Sequence, residues 1–325
     1  MPGPQSDSPA VLFVATPSGG GSYLRASDYR VQEIVYRLGA AGRAYCPERF
    51  PASGLAFHHL ADYDGEDRAH MVATYGIDRG AGILSVIADS PAARAGLVAG
   101  DVIVAVNGAA LPSPALAAAE RDRDRRRPLT VATEVAIEAQ LRLGPARLDI
   151  LRRSQPLTVT LAAEPGCPAL GRLARSGQDN AFADGRYTIM TTDFLGFFRS
   201  DDELAVALAH ELAHNILRHP QQLEVQGVPN GALRHIGRNA RLVRATEIEA
   251  DRLSVRLLAA AGYDLDAILP FWRRVHGRLD SRLAIISAHP GRRAQERYIN
   301  EVLAEVRRSP PPVPAPTPPP APPSQ

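Results

Sequence analysis

Five residues constrain this chain more than any others: His210-Glu211-Leu212-Ala213-His214. They stand inside a run that reads as one helix. Ser200-Asp201-Asp202-Glu203 has the S-x-x-E pattern of a capping box, and the helix it opens is expected over 201 to about 218, stopped before Pro220. A spacing of four stacks the two imidazoles on one face, one turn apart, as two ligands of a zinc ion require. Glu211 lies beside them, placed to take a proton from water activated by such an ion rather than to bind the ion itself.

A zinc site that does chemistry needs a third protein ligand and an open position. The next helix, expected over roughly 240–261, offers Glu247-Ile248-Glu249-Ala250-Asp251. Glu247 and Asp251 share a face at i,i+4, whereas Glu249 points about 200° away from Glu247. One carboxylate of the pair can ligate while the other orients a ligand histidine. The remaining histidines, His58, His59, His70, His219, His235 and His276, have no ligand partners at useful spacing. They read as surface or satisfied core residues, and Trp272 as core.

Composition removes several alternatives. The 37 basic residues are all Arg, which excludes Schiff-base and P-loop chemistry that depends on lysine. A net charge of +2 gives no electrostatic footprint for nucleic acid. No apolar run approaches the ~20 residues of a membrane helix, and no basic stretch precedes the short run Ala10 to Ala15, so no spanning segment and no export signal are visible.

Patterning divides the chain. Residues 1–24, rich in Pro, Ser and Gly, read as a flexible arm. Residues 25–55 carry a helix with apolar positions at Val31, Ile34, Val35, Leu38 and Ala41. Residues 56–163 are β-rich, with a tight-turn signal at Asn107-Gly108. Their charged stretch Arg121 to Arg127 reads as solvated. Residues 164–308 are mainly helical, and the Pro-rich 309–325 reads as a disordered tail. Cys46 and Cys167 are either two small core residues or one disulfide.

The H-E-x-x-H helix followed some thirty residues later by E-x-x-A-D resembles the gluzincin peptidases of metallopeptidase family forty-eight, the HtpX, BepA and CAAX-prenyl-protease type. Asn180-Ala-Phe-Ala183 with Arg186 to Thr192 resembles that family's N-A-F-A segment and active-site edge strand, and His289-Pro290 resembles its H-P motif. The likeness covers roughly 165–305. It implies Zn2+, one per chain, held by His210, His214 and Glu247, with Glu211 as base and Asp251 behind a ligand histidine. His289 is a second stabiliser, a fourth ligand, or a plain loop histidine. The arginine expected after H-P is either Arg293 or Arg297. Substrate protein is expected to lie extended along Tyr187, Thr188, Ile189 and Met190. The lack of membrane helices points to the soluble, periplasmic branch, with a role in envelope protein quality control.

A second resemblance is to PDZ modules of the bacterial protease type. It rests on Tyr75-Gly-Ile77, Gly82 to Ile87, Asp89 to Leu97 and Gly100 to Gly108. It implies recognition of a peptide C-terminus by a loop at Tyr75, Gly76 and Ile77, with a groove between the following strand and the helix near 133–143. The expected fold class is therefore α+β: a mainly helical zincin-type peptidase domain with a small sheet, and a β-rich PDZ domain inserted into it. The insertion would bring Cys46 and Cys167 together as a disulfide that pinches its ends. The rival expectation is a catalytically latent PDZ-bearing protein that acts as a chaperone-like factor or scaffold.

Overall fold

Two apolar periods, one of two residues and one of about three and a half, take up different parts of the chain, and each builds its own core. The computed structural model describes residues 12–13, 21–63, 65–111, 120, 123–177, 180–229, 234, 236–277 and 291–311. It is α+β. A short strand β1 (Leu12–Phe13) and a long helix α1 (Gly21–Ala41) come first. By internal packing the chain divides into two units, one gathering Glu33–Glu48 with the residues from Cys167 onward, the other gathering Arg49–Gly166 with the earlier part of α1.

The Arg49–Gly166 unit starts with β2 (Phe50–Ala52), β3 (Leu55–His58) and α2 (Gly65–Tyr75). It continues with β4 (Ala81–Val86), a single-turn helix α3 (Pro91–Arg94), β5 (Val102–Val106) and β6 (Ala109–Ala110). Helix α4 (Arg123–Leu143), β7 (Ala146–Arg152), β8 (Gln155–Leu161) and β9 (Glu164–Gly166) complete it. The main sheet has the order β3-β4-β5-β7-β8, with β6 paired to β5. Leu55, Ile83, Ile103, Leu148 and Ile150 point from it into a core that Ile137 of α4 closes. The Asn107-Gly108 turn is built as its composition demands, with both residues at positive φ (51° and 80°), the signature of a tight hairpin. Asp101, fully buried, is held by both nitrogens of the Arg152 fork at 2.7 Å.

In the other unit the strands are β10 (Leu170–Arg175), β11 (Ala181–Ala183) and β12 (Tyr187–Thr191). The helices are α5 (Asp201–Ile216), α6 (His219–Val225), α7 (Gly237–Ala260), α8 (Ile268–Gly277) and α9 (Arg292–Arg308). The sheet order is β1-β10-β12-β11. Helix α5 is buried on every side from Glu203 to Ile216, so it is the axis on which α7 and the strands pack. The capping residue is Ser200, whose Oγ accepts the Glu203 N–H at 3.3 Å. The reciprocal half of the capping box differs from expectation: the Glu203 carboxylate accepts the Arg199 N–H and binds the fork of Arg274. A disulfide joins Cys46 to Cys167 across a sequence separation of 121 residues. Among the described residues no helix is long and apolar enough to cross a membrane.

Candidate metal centre

Burial of α5 forces its polar residues to find partners, and it presents His210 and His214 one turn apart with their Nε2 atoms 3.1 Å from each other. Helix α7 packs against α5 and delivers Glu247, whose Oε2 lies 3.3 Å from His210 Nε2 and 3.6 Å from His214 Nε2. The three donors expected from sequence are thus brought together, with their ligating atoms all within 4.8 Å of one another. Tetrahedral bonds of 2.0–2.2 Å set ligand atoms about 3.3–3.6 Å apart, so the observed triangle fits a zinc ion.

The surroundings of the triad fit a cation as well. His210 Nδ1 lies 3.1 Å from Asp251 Oδ1, which fixes the ring with Nε2 facing the other donors. Burial works to lower the His210 pKa, but the hydrogen bonds of Asp251 and Glu247 hold it well above the ordinary value, so positive charge is stabilised at this point. Asp251 is itself fully buried and accepts from the Gln295 amide, whose oxygen lies 2.7 Å from His276 Nε2. Trp272, also buried, meets the His210 ring edge to face at 5.4 Å. Glu211 is buried beside the triad. Burial pushes its carboxyl pKa up, while the two histidines and the Ala183 N–H of strand β11 pull the other way. A carboxylate whose proton affinity is raised in this way is a stronger base towards water than an ordinary one.

Comparison with known proteins agrees with this geometry. Residues 155–233 match the model of peptidase family M48, a span that carries His210, Glu211 and His214 and stops short of Glu247. The resemblance to family M48 holds. Residues 82–130 match a PDZ domain model. The chain is also 28% identical over 153 residues to the mitochondrial metalloendopeptidase OMA1 of Schizosaccharomyces pombe, a match covering 40% of this chain and 45% of that protein. The chain thus spans about half the length of this relative.

Several expectations need correction. Strand β12, with Tyr187, Thr188, Ile189 and Met190, is not the edge strand. It pairs with β10 on one side and β11 on the other, and all its residues are buried. Its ladder is already satisfied, so it has no backbone groups to offer a substrate. Among the described residues the outer strand on the β12 side is β11, the Ala181-Phe182-Ala183 part of the N-A-F-A segment, and it is Ala183 that reaches Glu211.

The loop assigned to a peptide carboxylate is also misplaced. Tyr75 and Gly76 end helix α2, where the Gly76 N–H donates to Val72 O at 2.8 Å, and Ile77 is fully buried. The strand that follows, β4, is paired with β3 along Gly82–Val86 and with β5 at Ala81 and Gly82. An outer edge belongs instead to β3, which is entered through Ser53-Gly54. Gly54 has φ +78°, and a Cβ there would meet Ser90 Cβ at 2.1 Å.

Arg293 and Arg297 are both exposed, and the residue of that turn that enters the site is Gln295 between them. His289 lies outside the described residues, as does His235.

Sequence reasoning missed His219. It is fully buried, with Nδ1 3.0 Å from His214 Nδ1 and Nε2 3.1 Å from Glu249 Oε2. Its pKa is pushed down to about 4, by burial first and then by the neighbouring His214, so the ring is neutral. The chain turns sharply at Arg218, whose φ is +56°, and Pro220 then sits in the first turn of α6. That break in helical spacing brings residue 219 back against residue 214. The signal available in sequence was Pro220 placed directly after a histidine at the end of a ligand helix.

Proposed function

We propose that this chain is a zinc-dependent metalloendopeptidase acting on protein substrates. One observation carries the reading: two imidazole Nε2 atoms and a carboxylate oxygen from adjacent helices, 3.1–3.6 Å apart, with the buried carboxyl of Glu211 beside them. Zinc bound by His210, His214 and Glu247 supplies a Lewis acid that polarises a scissile carbonyl and brings the pKa of water towards neutrality. Glu211 accepts the proton of the attacking water on its carboxylate and hands it to the departing amine. His289 keeps the two parts the resemblance implies, a second stabiliser of the oxyanion or a fourth ligand.

We place the substrate in extended form along β11, since an outer strand pairs with an added chain through its backbone groups. The PDZ unit supplies peptide recognition in the same manner at β3, and we read it as inserted between the two segments of the peptidase unit. The Cys46–Cys167 bridge supports an oxidising compartment. With the resemblance to the soluble branch, it makes envelope protein quality control the proposed setting.

The test is metal analysis of the purified chain together with casein cleavage by wild type and Glu211→Gln. The expected result is one zinc per chain in both proteins, with cleavage only in wild type and lost with a chelator. Zinc binding without cleavage in wild type would favour the latent PDZ-bearing alternative.

A further inference from the structure

We propose that His219 is a positioning residue for the ligand His214, and that Glu249 holds His219 in the required tautomer. The inference rests on the zinc reading above. His214 turns Nε2 towards His210 and Glu247, at 3.1 and 3.6 Å, so the lone pair available to a metal is on Nε2 and the ring proton is on Nδ1. That proton must be donated. The acceptor is His219 Nδ1 at 3.0 Å, which is therefore the unprotonated nitrogen of its ring. The His219 proton is then on Nε2, 3.1 Å from the Glu249 carboxylate.

Two hydrogen bonds thus run from the ligand ring to a carboxylate, where His210 uses a single one to Asp251. His219 is fully buried, so no water is at hand to replace its acceptor nitrogen. Glu249 points away from the metal triad, as its helical offset from Glu247 dictates, and its contact with the site is through His219.

The distinguishing experiment is zinc affinity of the full chain, measured by competition with a chromogenic chelator. The absorption spectrum of the Co2+-substituted protein reports ligand geometry alongside it. Outer partners of metal-bound histidines are worth about 10–100-fold in metal affinity. His219→Leu is expected to raise the zinc Kd by about that factor and to alter the Co2+ spectrum. His219→Asn, whose amide oxygen takes the place of Nδ1 as acceptor, is expected to restore Kd to within about threefold of wild type. Glu249→Ala, a change at an exposed side chain, is expected to weaken zinc about three- to tenfold.

An unchanged Kd and spectrum in a folded His219→Leu protein would overturn the proposal while leaving the zinc reading intact. If His219→Leu does not fold, the other two variants decide: wild-type affinity in Glu249→Ala, or failure of His219→Asn to bind better than one-tenth as well as wild type, overturns it. Absence of zinc binding in wild type would overturn both readings, which keeps the two failures apart.

Discussion

Gln295 turns its amide nitrogen onto both carboxylate oxygens of Asp251, at 3.0 and 3.2 Å, in a position where neither residue meets solvent. Asp251 in turn holds His210, so a residue from the last helix acts on the metal centre through two intermediates. Removing the amide leaves a buried carboxylate short of a donor, which costs about 1–3 kcal/mol. Gln295→Leu is therefore expected to lower unfolding stability by that amount and to weaken zinc binding several-fold. Gln295→Glu should be worse, because it sets a second carboxylate against the first. Denaturant unfolding with a zinc titration checks both; a Gln295→Glu protein as stable as Gln295→Leu would refute the charge argument.

The base of α5 gives a prediction in pH. Burial works to raise the Glu203 pKa, but the Arg274 fork at 2.6 and 2.7 Å and the Arg199 N–H outweigh it, so the folded-state value lies below the ordinary 4.5. A depressed carboxyl pKa stabilises the fold above the unfolded-state value, and that contribution disappears as pH falls through the folded-state value. Glu203→Gln should therefore be about 2 kcal/mol less stable than wild type at pH 7. The gap should narrow as the pH is lowered from 7 to below the depressed folded-state value, where Glu203 itself becomes neutral. Equal gaps at the two ends of that range would contradict the ion pair's role.

What could be read from sequence follows the range of the interaction. His210, Glu211, His214, Glu247 and Asp251 were legible because helical period alone puts them on faces, and two such faces have few ways to meet. Capping by Ser200 was local for the same reason. Strand order is not local: Tyr187 to Thr191 has strong β propensity, and nothing in its composition says that Ala181–Ala183 covers its outer side. His219 escaped because its approach to His214 depends on a left-handed Arg218 rather than on a regular spacing, and because Pro220 was read as ending structure when it stands in the first turn of a new helix. Gln295 escaped because a neutral amide carries no chemical signature until the carboxylate it serves is located. Helix α2 was missed because its apolar residues follow no clean period.

The disulfide yields a third prediction. Cys46 and Cys167 lie on either side of Arg49–Gly166, so the bridge closes a loop that contains this whole segment. Closing a loop of this length removes chain entropy from the unfolded state worth up to about 4–5 kcal/mol, less any strain. A double Cys→Ser variant is expected to unfold at lower denaturant by about 2–4 kcal/mol, with zinc affinity retained because neither sulfur touches a ligand. Free-thiol titration of the denatured, unreduced wild type should find none.

The PDZ unit gives the last prediction. An added peptide strand needs unpaired backbone groups, and β4 is taken up by β3 along Gly82–Val86 and by β5 at Ala81 and Gly82. Among the described residues β3 stands at the end of its sheet, and the turn that leads into it depends on Gly54. A peptide with a free C-terminus and a photoreactive residue is therefore expected to cross-link within Ser53 to His58, not within Tyr75 to Ile77. Gly54→Ala, which needs positive φ at a residue with a side chain and places Cβ against Ser90, should abolish that labelling. Because Gly54→Ala can also destabilise the unit by about 1 kcal/mol or more, circular dichroism at the labelling temperature accompanies it. Labelling that maps to Tyr75–Ile77 in wild type would return the carboxylate site to the end of α2 and sink the β3 assignment.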